Sequence, residues 1–166
     1  EKILDKLDKK IKTSCILKLY PNEDNFCELE NKILDEIIFK KQKYSIDRTS
    51  PKKEILKKSK LILNYSDGTS FLETISTDIP TIIFLPNFNW VDEIAKQDYE
   101  KLLECNILFN DEKLMSEHIN AVFDDVDSWW NNPKIKKVKL NFEQKYSLRP
   151  PHDALKILSK KIIKKI

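Results

Sequence analysis

Residues 60–86 read Lys-Leu-Ile-Leu-Asn-Tyr-Ser-Asp-Gly-Thr-Ser-Phe-Leu-Glu-Thr-Ile-Ser-Thr-Asp-Ile-Pro-Thr-Ile-Ile-Phe-Leu-Pro. Two apolar runs, Leu61-Ile62-Leu63 and Thr81-Ile82-Ile83-Phe84-Leu85, bracket a polar turn and a helical stretch. Neither run alternates with polar residues, as a strand with one wet face would. Each therefore reads as a strand buried on both faces, and Pro80 and Pro86 bound the second. Between them, Thr69 to Thr77 has the spacing of a helix. Strand, helix and strand of this kind are the repeating unit of a parallel sheet.

The alternation continues outward in both directions. Upstream, Ile3, Leu4, Leu7 and Ile11 predict a helix over residues 3–11. Residues 15–20 predict a strand ended by Pro21, residues 27–39 a helix, and residues 44–46 a short strand. Residues 51–58 predict a short helix with Pro51 in its first turn. Downstream, residues 91–105 and 112–123 predict helices on either side of a strand at residues 106–109. A short helix begins at Asp127, and Pro133 and Pro151 open two more, over residues 133–146 and 151–165. The expected architecture is a single α/β domain over residues 1–166: a Rossmann-like parallel sheet with helices on both faces and a helical C-terminal tail.

Composition excludes several classes. The 166 residues suit one domain, and 40% hydrophobic with 34% charged is too apolar for disorder and too charged for a membrane span. A net charge of +3, from 30 basic and 27 acidic residues, lacks the strongly basic footprint of a nucleic-acid binder. Cys15, Cys27 and Cys105 form an odd set without C-x-x-C spacing, so neither a zinc site nor a disulfide framework is indicated. A reducing, cytoplasmic setting fits. The basic residues are nearly all lysine, with arginine only at Arg48 and Arg149, a profile typical of AT-rich coding. Glycine is scarcer still: Gly68 is the only one, where about a dozen are usual. The chain begins at Glu1, not Met, and is read as part of a longer protein.

The turn Tyr65-Ser66-Asp67-Gly68-Thr69-Ser70 falls at the carboxyl end of a parallel strand, where open α/β sheets bind ligands. The helix that follows offers free N–H groups and a positive dipole end, suited to phosphate. In a chain that avoids glycine, Gly68 is expected where φ is positive or where a ligand leaves no room for a Cβ. Thr69 and Ser70 add hydroxyl donors. A plainer reading stands beside this one. Asp-Gly is a common turn pair, and Ser70 with Glu73 matches an S-x-x-E capping box. After the second strand, Asn89, Trp90 and Asp92 offer an amide, a ring to stack on a base or sugar, and a carboxylate that equally suits a helix start. His118 reads as a packing or surface histidine, and His152 has no visible partner. Asp125-Val126-Asp127 has the letters of a metal motif but reads as structural, with Trp129 and Trp130 as packing anchors. In the C-terminal helix Leu155, Leu158, Ile162 and Ile166 share a face, and Lys156, Lys160, Lys161, Lys164 and Lys165 lie elsewhere. Such a helix packs on a domain or docks on an anionic membrane.

Gly68-Thr69-Ser70-Phe71-Leu72-Glu73-Thr74, followed by Asp78-Ile79-Pro80-Thr81-Ile82-Ile83-Phe84, resembles the G-T-x-x-E…G-x-P segment of GT-B glycosyltransferases. It is closer to a bacterial family of transferases linked to surface-carbohydrate biosynthesis. That family has a Ser-led G-T-x-F-L-E-T core, an I-P-T-x-I-F strand and a later D-D-V-x-x-W-W element. Here they are Ser66 to Thr74, Ile79 to Phe84, and Asp124-Asp125-Val126-Asp127-Ser128-Trp129-Trp130. The family's R-L-Y-P strand corresponds to Lys18-Leu19-Tyr20-Pro21, and the ordered set runs through most of residues 15–146. The resemblance implies the C-terminal, donor-binding half of a GT-B enzyme. The Gly68-Thr69-Ser70 turn would face the donor diphosphate and Glu73 the ribose or sugar hydroxyls, with Ser66, Asp67, Asn89 and Asp92 as further contacts. Lys18 replaces the family's arginine and so lacks its bidentate geometry. Ile79 stands where the wider pattern has glycine. No metal and no tightly held cofactor is implied, because helix dipole and basic residues meet the leaving diphosphate.

The expectation is thus a cytoplasmic domain, or one at the inner face of the membrane, that binds a nucleotide-sugar. An acceptor domain carrying the general base would precede it. The alternative is a non-catalytic Rossmann-like module that binds a partner or an anionic surface.

Overall fold

The computed structural model describes residues 2–18, 45–47, 49–77 and 79–147. The expected helices over 27–39 and 151–165, and most of the Lys18–Pro21 element, lie outside these residues. In order, the elements are α1 (Lys2–Asp5), α2 (Lys9–Ser14), β1 (Ile16–Lys18), β2 (Ser45–Asp47), α3 (Lys52–Lys58), β3 (Ile62–Asn64) and α4 (Thr69–Ile75). They continue with β4 (Thr81–Phe84), α5 (Glu93–Glu104), β5 (Leu108–Phe109), α6 (Glu112–Val122), a 3-10 turn (Phe123–Asp125), α7 (Val126–Trp130) and α8 (Pro133–Tyr146).

Among the described residues, all strand pairing is parallel. Strand β4 lies between β3 and β5, with Leu63 opposite Ile82 and Ile83 opposite Leu108. Strands β1 and β2 form a separate pair, Leu17 opposite Ile46. All four residues of β4 are buried. Successive side chains of a strand point to opposite faces, and the core divides accordingly. Ile83 and Leu85 join Phe71 and Ile75 of α4, Leu102 of α5 and Phe142 of α8. Ile82 and Phe84 join Ile3 of α1, Ile11 of α2, Leu7 between them, and Met115 and Ile119 of α6. Helices therefore cover both faces of the sheet, as the unalternating strands predict.

Two departures have clear causes. Residues 3–11 were expected as one helix but form parts of two, broken around Leu7. The break exposes backbone groups, and Asn120 of α6 satisfies them on both sides. Its Oδ1 accepts from the Asp8 N–H (2.9 Å), and its Nδ2 donates to the Lys6 carbonyl (3.1 Å). The second departure concerns glycine. Gly68 has φ −70° and ψ −172°, an extended conformation open to any residue, so of the two reasons offered for a glycine there, positive φ is absent. The left-handed position among the described residues is Asn106, at φ 57°. It ends α5, and its neighbour's N–H (Ile107) closes on the Leu102 carbonyl at 2.9 Å. Asparagine tolerates this conformation better than other non-glycine residues.

Asn106→Gly should therefore hold or raise the thermal unfolding midpoint, whereas Asn106→Val should cost about 1–2 kcal/mol. Equal midpoints for the two variants would contradict a left-handed residue at this position.

Candidate functional site

Helices on the two faces leave the carboxyl ends of β3, β4 and β5 as the open edge of the sheet. At the end of β3, Asn64 is buried and its Nδ2 donates to Thr74 Oγ1 of α4 (3.0 Å), while the Thr74 hydroxyl donates to the Phe71 carbonyl (3.1 Å). This clamp fixes α4 against the strand and sets the turn between them.

Gly68 is the N-cap of α4, and no side chain caps that end. Asp92, Asp111, Asp125 and Asn132 cap α5, α6, α7 and α8, whereas the starts of α2 and α3 lack a side-chain cap as α4 does. The first-turn N–H groups of α4 are left to water or a ligand. The expected S-x-x-E capping box is not formed: Ser70 sits inside the helix, and Glu73 pairs with Lys52 of α3. A Cβ added at Gly68 would meet only Ser66 Oγ, at an ordinary 3.7 Å. The turn thus accepts a side chain, and any demand for glycine has to come from outside it.

Asp67 binds the turn to the next loop. Its Oδ2 accepts from Trp90 Nε1 (3.2 Å) and from the Tyr99 hydroxyl (3.3 Å). Tyr99 is buried, with its ring edge-on to Phe142 at 5.4 Å. Burial, and then the Asp67 charge, raises the Tyr99 pKa, so the phenol remains a donor. Trp90, by contrast, is 57% exposed.

The other expected contacts are dispersed. Lys18 pairs with Asp47 across β1 and β2 at 3.3 Å. Two hydrogen bonds from Ser50, and then Lys18, hold the Asp47 carboxyl down to about 2. Asp92 is used as a cap, accepting from the Ile94 N–H (2.9 Å). Asn89 lies exposed between Trp90 and Phe88 in the β4–α5 loop. Ser66 and Thr69 are exposed, and Ser70 is half-buried.

Sequence reasoning missed a second feature of the same edge. Tyr65, 70% exposed, leans on Phe84 at 5.4 Å between ring centres. With Pro86, Asn110, Lys2 and Lys6 it lines an open cleft of about 270 Å³ on the α1 and α6 side. A tyrosine at a strand end signals no site by itself, and the lysines come from the N-terminal segment, far away in sequence. Asn64 and Tyr99 were also missed, since each reads simply as part of a buried face.

Other candidates resolve as structure. Asp125 caps α7 through the Ser128 N–H (3.2 Å) and Asp124 pairs with Lys10 at 2.6 Å, so the D-D-V-x-x-W-W element joins helices. Trp130 is buried and Lys139 lies over its ring at 5.0 Å. Asp98 ties α5 to α8: burial pushes its carboxyl up, but bonds from Lys145 (2.6 Å), Tyr146 (3.0 Å) and Lys101 (3.3 Å) outweigh this and lower it. Among the described residues no group of three or more His, Cys, Asp and Glu could hold a metal ion, and no helix is long and apolar enough to cross a membrane. Cys15 and Cys105 are free thiols whose pKa burial raises.

His118 packs between the rings of Phe109 (5.3 Å) and Trp129 (5.0 Å), and its buried Nε2 has no hydrogen-bond partner. Burial lowers its pKa to about 4. An unfolded histidine titrates near 6.5. Between these values the unfolded chain binds the extra proton, so stability should fall as pH drops from about 6.5 to about 4. Urea unfolding of wild type and His118→Leu at pH 7 and pH 4.5 checks this. Wild type should lose stability relative to the variant at the lower pH; a constant difference would show that His118 is not held neutral.

An α/β protein with a parallel sheet and helices on both faces has the form of a Rossmann-like domain. The family model described as LIC12162 family transferase matches residues 2–162, and the chain belongs to that transferase family. No curated protein and no solved structure matches the chain.

Proposed function

We propose that this chain is the donor-binding domain of a GT-B-type glycosyltransferase of surface-carbohydrate synthesis. The reaction is displacement of a nucleoside diphosphate from an activated sugar by an acceptor hydroxyl. Membership of a transferase family supports the reaction class. The observation that carries the reading is the convergence of two loops at the carboxyl edge of the sheet. Residues 65–68, with the uncapped start of α4, meet the 86–92 loop through the Asp67–Trp90 bond. Backbone N–H groups and the helix dipole then face the diphosphate, and Glu73 lies one turn further along α4. The acceptor site and the general base belong to a preceding domain. No tightly held cofactor or metal is part of the proposal, nor is nucleic acid. The setting is cytoplasmic, with residues 151–165 as a contact to the inner face of the membrane.

Isothermal calorimetry with UDP-, GDP-, CDP- and CMP-sugars tests this reading. At least one should bind in the micromolar to millimolar range. Gly68→Ser keeps a good N-cap residue and should leave unfolding within about 0.5 kcal/mol of wild type. Gly68→Asp adds bulk and negative charge and should abolish binding. A folded protein that binds none of the panel at millimolar concentration would overturn the reading.

One observation favours a second reading, a non-catalytic module that binds a partner. Ile94 is 88% exposed and Leu114 56%, both in the first turns of helices that start at the same edge. On that reading Gly68→Asp would leave partner binding unchanged.

A further inference from the structure

The bond pattern around Asp67 divides the edge of the sheet chemically. Tyr99 is fixed in the core by Phe142 and Phe88. Its hydroxyl fixes Asp67, and Asp67 in turn fixes the indole N–H of Trp90. Both donors fall on Oδ2, so neither uses Oδ1. The result is an exposed indole held in place by its polar edge, with a carboxylate oxygen beside it. Such a carboxylate repels a phosphate and accepts from a hydroxyl. An indole face beside a hydrogen-bond acceptor suits a ring that is apolar on its C–H face and carries hydroxyls at its rim. The bidentate edge of guanine would need both carboxylate oxygens, and Oδ2 already takes two donors.

We propose that Asp67 is a positioning and sugar-recognition residue: it holds Trp90 as a platform for the sugar ring of the donor, and its Oδ1 accepts a sugar hydroxyl. This deepens the proposed function and rests on it. The diphosphate then lies away from Asp67, toward the Thr69 and Ser70 end of the turn. The latch also explains why a carboxylate can stand at the mouth of a site for an anionic donor: it contacts only the neutral part.

The test compares each nucleotide-sugar of the panel with its nucleoside diphosphate lacking the sugar, by calorimetry and by tryptophan emission. Trp90→Phe identifies the contribution of Trp90, since Trp130 is buried and Trp129 partly so. The bound nucleotide-sugar should shift Trp90 emission and the diphosphate alone should not. Asp67→Ala should shift Trp90 emission without ligand and weaken nucleotide-sugar binding about tenfold or more, leaving the diphosphate affinity unchanged. Asp67→Asn keeps an acceptor oxygen and should restore the unliganded emission. Trp90→Ala should reduce the same sugar preference, which keeps the test open if Asp67→Ala does not fold. Equal weakening of sugar and diphosphate forms, or no change in either, overturns the sugar assignment while leaving nucleotide-sugar binding standing. Absence of binding by every nucleotide overturns the proposed function and this assignment with it.

Discussion

Thr81, Ile82, Ile83 and Phe84 have no wet face. Strands β3 and β5 bond to β4 on its two sides, and helices cover it above and below. A strand enclosed in this way can project function only from its ends. The neighbouring strands are parallel to it, so their carboxyl ends share one edge, and the loops after β3 and β4 meet there. The position of the site thus follows from the burial of four residues, of which only Phe84 reaches the edge, under Tyr65. The same burial makes the position of the edge insensitive to surface changes, because the interior is close-packed and the cost of moving β4 falls on both core clusters at once.

The edge is built from fixed parts and an open one. Asn64 and Thr74 hold α4 to the strand, and Tyr99 holds Asp67 and through it the loop bearing Trp90. The charged groups that the sequence suggested for the donor are occupied within the chain: Lys18, expected at phosphate, is paired with Asp47, and Glu73, expected at the ribose or sugar hydroxyls, with Lys52. Open instead are the start of α4 and the space over Gly68. The lone glycine is therefore not a backbone necessity. Where the chain needs a left-handed residue it uses Asn106, so glycine scarcity is tolerated even at a position that favours glycine. Neither the backbone conformation nor the packing around Gly68 requires a glycine there.

How much of this was readable in the sequence depends on the range of the interactions. The strands at residues 61–63 and 81–85 were legible because a strand buried on both faces shows as an uninterrupted apolar run. Residues 133–146 were legible as a helix because the proline that opens it, Pro133, is a signal carried in the chain itself. The break between α1 and α2 was not, since its backbone is satisfied by Asn120, 112 residues beyond Asp8. The capping box failed for a local reason: S-x-x-E does not say which residue begins the helix, and here it begins two residues earlier, at Gly68. Asp67 was recognised as a member of the turn, but its role was hidden. Its partners lie 23 and 32 residues on, in a different loop and a different helix. The direction of Tyr65, away from the turn and onto Phe84, was likewise set by the pleat and not by any motif.

On the proposed function, ligands of the transferase meet this chain at the carboxyl edge beside Gly68. Amide chemical-shift mapping by heteronuclear NMR, titrating UDP-, GDP- and CDP-sugars into the folded chain, locates them. Saturable shifts centred on residues 65–70 and 87–92 are expected, with little change across the amino ends of the strands. Shifts centred on the cleft near Lys2, Lys6 and Asn110 without the Gly68 turn, or on no single edge of the sheet, would rule this edge out.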